Sequence, residues 1–135
     1  MMTDPLAFMF SRLRYASRAG KLTVQVPLSN LKLRVAHILV TQGIAESVEK
    51  VDEKGTTKTI NIRLRVRNNG APVLVDIQRV SRPGARIFVD YAHIPAMKQN
   101  FGFSLLSTVQ GLMTGFEARK RKIGGEVIGT VTIAG

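Results

Sequence analysis

The segment Ser107-Thr108-Val109-Gln110-Gly111 sets two adjacent hydroxyls, each able to donate or accept, near a glycine that lets a backbone approach a ligand. Such groups suit phosphate and ribose contacts or the edges of exposed bases. The same spacing also fits, and taken alone fits better, a polar turn capped by its own hydroxyls. Gly124-Gly125-Glu126 has two readings as well. The glycines supply a tight turn, while Glu126 either accepts from base amino groups or, the more common role, orients a neighbouring arginine. Ser81-Arg82-Pro83-Gly84 reads first as a Pro-Gly turn and second as a phosphate contact through Arg82. Between residues 60 and 67, Ile60, Ile62, Leu64 and Val66 alternate with Asn61, Arg63, Arg65 and Arg67. A period of two places the aliphatics on one face of a strand and three guanidiniums on the other.

Bond-breaking chemistry has little to work with. There are 9 acidic residues, and they are scattered rather than paired near a histidine. The glycines match neither phosphate-loop pattern. His37 falls inside a helical stretch and His93 just before Ile94-Pro95, positions typical of surface or turn residues. With no Cys and 2 His, a disulfide framework, a thiolate metal site and a Cys nucleophile are excluded, and a histidine metal cluster nearly so. The methionines, among them Met9, Met97 and Met113, read as core filler or start codon. No enzyme activity, metal, cofactor or small-molecule substrate is therefore expected. No apolar run reaches about 18 residues, so no membrane span is expected either.

What the chain offers instead is positive charge: 20 Lys and Arg leave a net charge of +11 on 135 residues. An apolar share of 44% is ordinary for a globular protein, so the excess does not signal disorder. Residues 1–68 carry 12 basic and 5 acidic side chains and residues 69–135 carry 8 and 4, so both halves are basic. The partner expected is a polyanion touched by both.

The elements that would position these groups make an α+β fold of two small α/β lobes, residues 1–68 and 69–135. In the first, Thr3-Asp4-Pro5 starts a helix, and Leu6, Met9, Phe10 and Leu13 form its buried stripe; Ala19-Gly20 ends it. A strand from Thr23 to Val26 follows, then a second helix capped by Ser29 and stopped at Gly43. Two strands joined by an Asp52–Gly55 hairpin turn complete the helix-strand-helix-strand-strand lobe. Asn68-Asn69-Gly70 marks the boundary. The second lobe is mostly antiparallel β: strands at 73–80, 86–89, 103–106 and 127–133, with one short helix. Thr114-Gly115-Phe116-Glu117 matches a capping box that starts that helix, expected to run to about Lys122. The Ser107–Gly111 segment becomes a loop joining a strand to that helix start.

Several pieces together resemble one family. Leu106-Ser107-Thr108-Val109-Gln110-Gly111-Leu112-Met113-Thr114, Glu117-Ala118-Arg119-Lys120 and Gly124-Gly125-Glu126 are similar to the signature of small-subunit ribosomal protein eight. Thr3-Asp4-Pro5 with Arg12-Leu13-Arg14, Ser81-Arg82-Pro83-Gly84 with Arg86, and Ile94-Pro95 resemble its other landmarks in order. The resemblance covers nearly the whole chain. It implies a non-enzymatic protein of two α/β lobes that binds ribosomal RNA of the central domain of the small subunit and supports its assembly, beside neighbouring small-subunit ribosomal proteins. It places Ser107, Thr108, Val109 and Gly111 at the main RNA contact with Gly124, Gly125 and Glu126 close by. Arg86 and Phe88 fall beside them, Phe88 where the family usually has Tyr; Ser81 and Arg82 belong to the same surface. Thr3, Asp4, Pro5 and Arg14 would approach a neighbouring RNA segment, and Arg63, Arg65 and Arg67 would add salt-dependent phosphate affinity.

The chain departs from the family pattern at Val109, where a third Ser is usual, at Gln110, where Lys is usual, and at Gly115, where an acid is expected. It also ends Val131-Thr132-Ile133-Ala134-Gly135 in place of an aromatic ending. These changes look like drift in an organelle, and the acid-free, Arg-rich stretch 6–21 resembles an import segment. A mitochondrial ribosome is therefore favoured over a bacterial one. The alternative function is a free RNA-binding regulator, such as a repressor of its own message, using the same surface.

Overall fold

A computed structural model describes residues 4–53, 57–95 and 101–134. The expected contacts of Thr3, the end of the Asp52–Gly55 turn and the packing of Met97 lie outside the described residues. Helix α1 (Pro5–Ala19) starts where the sequence says it should: Asp4 is its N-cap and accepts a hydrogen bond from the Ala7 N–H at 3.2 Å, and Pro5 opens the first turn. It stops at Gly20, whose φ of 70° is the left-handed geometry that glycine takes without strain. Strand β1 (Thr23–Pro27) leads to helix α2 (Asn30–Thr41), capped by Ser29, and then to β2 (Ala45–Glu53) and β3 (Thr57–Leu64). The second sheet uses β4 (Leu74–Arg79), β5 (Phe88–Val89), β6 (Gly102–Thr108), β7 (Gly111–Thr114) and β8 (Gly125–Ile133), with helix α3 (Gly115–Lys120) inserted before β8.

Both sheets are antiparallel. The first runs β1-β3-β2; the second runs β4-β8-β6-β7, with β5 also paired to β8. β3 shows why the period-two reading worked and where it ended. Ile60, Ile62 and Leu64 are buried against the helices, as alternation requires. The ladder stops at Leu64, because Val66 instead pairs with Pro72 across the Asn68–Gly70 turn. Arg65 and Arg67 therefore lie beyond the strand, and the expected three-arginine stripe reduces to Arg63, which pairs with Glu46 at 3.3 Å.

Helix α1 touches β1 and β4, and α2 touches β2 and β7, so each helix meets both sheets. Leu6, Met9, Phe10, Leu13 and Ala16 pack with Val24, Ile60 and Ile62 of the first sheet and with Leu74, Ile77, Phe103, Leu105, Ile128 and Val131 of the second. Each large aliphatic or aromatic side chain removed from water in this way contributes about 1.5–3 kcal/mol. β6 is buried on both faces, since Leu106 packs behind the sheet with Ile94, Met113 and Ala118.

Polar ties lay α1 antiparallel along β4. Asp4 receives the Arg79 Nε at 3.1 Å, Arg14 donates to the Ile77 carbonyl at 2.9 Å, and Ser17 donates to the Leu74 carbonyl. Arg79 also donates to the Ile128 carbonyl at 2.5 Å. Its side chain is 8% exposed and that of Asp4 18%, so the pair is largely removed from water. Breaking a buried pair from one side costs about 3–5 kcal/mol because the other charge is stranded. Arg79→Ala is expected to fall at the low end, about 3 kcal/mol, because Asp4 keeps some solvent; chemical denaturation followed by circular dichroism measures it.

Candidate nucleic-acid interface

The Ser107–Gly111 segment is a β-hairpin, not a loop into a helix. Ser107 and Thr108 end β6, Val109 and Gln110 form the turn, and Gly111 opens β7 opposite Thr108. Gly111 has φ +111°, which explains the glycine. The Thr108 hydroxyl donates to the Gly111 carbonyl at 2.8 Å and accepts from the Gln110 N–H at 3.1 Å. Thr108 is thus spent on its own turn, the plainer of the two readings of its hydroxyl. Val109, at the tip, is 95% exposed.

Ser107 has a different setting. The ladders place Phe88 opposite Glu126, Glu126 opposite Ser107, and Ser107 opposite Leu112. Directly paired residues share a face, so β5, β8, β6 and β7 carry one row: aromatic, acid, hydroxyl, aliphatic. Phe88 is 69% exposed. Arg86, two residues before Phe88, reaches the same face and donates to Glu126 Oε2 at 2.8 Å. That hydrogen bond, with the carboxylate charge behind it, raises the Arg86 pKa above its ordinary value. Glu126 has thus taken the expected role of orienting an arginine. Its second oxygen and the Ser107 hydroxyl make no hydrogen bond among the described residues, which leaves an acceptor and a donor-acceptor side by side.

The neighbouring glycines permit this row by letting backbones come close. A Cβ on Gly124 would lie 2.3 Å from the Val89 carbonyl oxygen, and one on Gly125 2.3 Å from the Ser107 carbonyl oxygen. Backbone cannot yield at such distances, so β8 reaches its neighbours only because these residues have no side chain. Ser81 is likewise structural: it is fully buried, and its hydroxyl donates to the Ile87 carbonyl at 3.2 Å and accepts from the Ile87 N–H at 2.9 Å. These two bonds pin the base of the Arg82–Ala85 turn with Ser81 buried beneath it, while Arg82 stays exposed.

Two clefts share a wall of Asp4, Arg79 and Pro83, and the smaller borders the row. One, of about 440 Å³, joins Asp4 and Pro5 of the first lobe to Arg86, Ser107 and Glu126 of the second. Its wall also includes Lys32 and Arg79, which no motif of the sequence singles out, and Ser29, expected there only as a helix cap. Lys32 is buried and donates to the Pro27 carbonyl at 3.2 Å. A signal for Arg79 was present, since Asp4 is the lone acid before Glu46 and a capping acid at a lobe junction invites a cation. The second cleft, about 560 Å³, brings Arg14 and Arg82 to the other side of Asp4 and Pro83. Both acids in these walls are already neutralised by Arg79 and Arg86, so the surface stays positive. Arg63, Arg65 and Arg67 line neither cleft.

Comparison with known proteins fits this geometry. The family model for ribosomal protein S8 matches residues 4–132. The chain belongs to this family. A small ribosomal subunit protein uS8 from Solibacter usitatus is 43% identical over 128 residues, 95% of this chain and 97% of that protein. Proteins of the same name from Geobacter metallireducens and Streptococcus pneumoniae are 40% identical over 130 residues and 38% over 133. Each alignment spans 98% of the relative. Within this S8-family chain the signature segments thus divide their labour: Ser107, Glu126, Arg86 and Phe88 present groups outward, while Thr108, Gly111, Gly124 and Gly125 shape the backbone beneath them.

That division is testable by stability alone. Thr108→Val is expected to cost about 1–2 kcal/mol, the net value of its two hydrogen bonds, whereas Ser107→Ala leaves stability within about 0.5 kcal/mol. Thermal unfolding of both variants checks the contrast. At the edge of the surface, His93 Nδ1 lies 2.5 Å from Asp90 Oδ1, and that hydrogen bond lowers the Asp90 pKa. The shift is downward, so its contribution is complete above the ordinary carboxylate range and vanishes as pH falls through the lowered value. NMR titration should find Asp90 below a free carboxylate and moved back up by His93→Ala.

Proposed function

We propose that the Phe88–Glu126–Ser107 row, with the clefts beside it, is the face on which this chain holds ribosomal RNA as a structural, non-catalytic member of the small ribosomal subunit. The observation that carries this is the row itself: an open aromatic ring next to an arginine-oriented carboxylate and a free hydroxyl. Phe88 offers a stacking platform for an unpaired base. Glu126 and Ser107 offer hydrogen bonds to that base or to a ribose 2′-hydroxyl. Arg14, Arg82 and Arg86 supply phosphate attraction without reading sequence. Asp4 and Pro5 form the far wall of the groove, so an RNA segment seated there meets both lobes.

The family supports rRNA of the central domain as the ligand, with other small-subunit proteins as neighbours. The lobes 1–68 and 69–135 act in this proposal as one platform, consistent with the single apolar cluster that α1 and α2 share with both sheets. Arg63, Arg65 and Arg67 add diffuse attraction. The finer expectation, a mitochondrial ribosome, rests on the residue changes at 109, 110 and 115 and on the acid-free helix alone; the relatives named above are bacterial.

Filter binding to a helical fragment of small-subunit rRNA from the central domain tests the proposal. Phe88→Ser is expected to weaken binding by about 1–3 kcal/mol through lost stacking, and Ser107→Ala by about 1 kcal/mol. Unchanged affinity in the folded double variant would overturn the site. Arg82→Gln should instead reduce the salt slope of log K by about 1 and leave the preference among RNAs intact.

A further inference from the structure

Of 6 Phe and 2 Tyr in the chain, only Phe10 and Phe103 are buried. Two of the exposed rings stand on α1, away from its buried stripe: Phe8, 50% exposed, and Tyr15, 62% exposed. They are seven residues apart, which is about 10 Å along the axis and the same side of the helix. Neither ring serves the core, and aromatics are not favoured helix formers at open positions. Each ring carries a cation: the Arg12 guanidinium lies 5.6 Å from the centroid of Phe8, and the Lys21 ammonium 5.3 Å from that of Tyr15.

These four side chains line a groove of about 400 Å³ between α1 and the start of β1, floored by Ala16 and Thr23. No acid lines it. Between Asp4 and Glu46 the sequence has no acid at all, while Arg12, Arg14, Arg18 and Lys21 fall within the helix and its exit. The groove by Glu126 differs in kind, since Asp4 and Glu126 both enter its wall.

We propose that this face of α1 is a second, separate binding site, and that its ligand is an unpaired RNA segment. Bases stack on Phe8 and Tyr15 at the two ends, and the intervening backbone passes Arg12, with Lys21 and Arg18 taking further phosphates. Alternating flat rings and cations without an acid match this ligand, because every base has a face to stack and every nucleotide a phosphate. An acidic peptide would use the cations but leave the rings without a matching group. The inference builds on the RNA reading of the Phe88–Glu126 surface, and α1 connects the two: its Asp4 end lies in that groove and its Tyr15 end leads away from it.

Fluorescence titration of the full-length chain with a ten-nucleotide oligoadenylate containing 2-aminopurine tests the site. Tyr15→Ser and Phe8→Ser are each expected to weaken oligoadenylate binding about five- to a hundredfold. Tyr15→Phe keeps the stacking face and should retain affinity, which separates stacking from misfolding. The double variant Phe88→Ser/Ser107→Ala should bind oligoadenylate as the parent does, and Tyr15→Ser should bind the helical rRNA fragment as the parent does. Oligoadenylate affinity that is unmoved by Tyr15→Ser and Phe8→Ser, or lost in the Phe88/Ser107 variant instead, would overturn the proposal. So would a polyglutamate peptide that binds with comparable affinity and loses it equally in Tyr15→Ser. Should the parent fail to bind the rRNA fragment yet bind oligoadenylate through Tyr15, the first site falls and this one stands.

Discussion

Helix α1 is held against β4 at three points, and the Asp4–Arg79 pair at its first turn is the one on which the others depend. Asp4 does two things with one carboxylate: it caps the helix through the Ala7 N–H and neutralises Arg79. Arg79 in turn reaches past Asp4 to the Ile128 carbonyl in β8. One side chain therefore links the helix start to the strand that carries Glu126 two residues earlier. A buried charge pair is rarely stabilising on balance when set against an apolar replacement. Its value here is positional. It fixes the depth of α1 over the seam between two sheets, and so the width of the groove whose walls are Pro5 on one side and Ser107 on the other.

With α1 fixed, the rest is backbone proximity. β8 pairs with β4, β5 and β6, and it can do so because it is thinned by glycine where neighbours come closest. Gly129 shows this further along the strand: a Cβ there would sit 2.4 Å from the Gln78 carbonyl oxygen and 2.8 Å from the Phe10 ring. Gly124 and Gly125 repeat the device beside Val89 and Ser107. The row Phe88–Glu126–Ser107–Leu112 is a consequence of strands brought into register by missing side chains. Residues without side chains thereby decide whether the side chains of this row can line up.

Much of this was legible in the chain, and what was not has a physical reason. Local signals carried the helices: Asp4-Pro5, Ser29, Thr114 and Gly20 each act through hydrogen bonds within a few residues of themselves. Alternation carried β3 as far as Leu64, where one face is buried. It failed at Val66, whose partner Pro72 belongs to a turn that periodicity does not describe. β7 was missed because Gly111–Thr114 is four residues long and its strand character comes from pairing with β6, a contact no local pattern encodes. The same limit applies to the site. Ser107 and Glu126 could be marked from sequence, but not their adjacency across a ladder. Thr108 and Ser81 carry the same chemistry as Ser107, and only the fold shows that their hydroxyls are already bonded to backbone.

The departures at Val109 and Gln110 take on a structural meaning in the fold. From sequence, the segment loses a hydroxyl and a cation, which shifts the expected recognition toward backbone and shape contacts. In the fold, Val109 stands at the hairpin tip, and the Gln110 side chain accepts from Arg121, which is also bonded to Glu117 at 2.8 Å. Gln110 thus ties the tip to α3. The hairpin keeps its shape through Thr108, Gly111 and this link, while hydrogen-bonding capacity is concentrated one residue earlier, at Ser107 beside Glu126. A turn that presents an apolar tip and a stiff backbone still offers shape. The unbonded polar groups stand on the sheet instead, where a paired strand leaves them less freedom to lose on binding than a loop would. On the RNA reading proposed above, specificity would rest on that rigid row, and the positive surface around it would supply attraction that any RNA would feel.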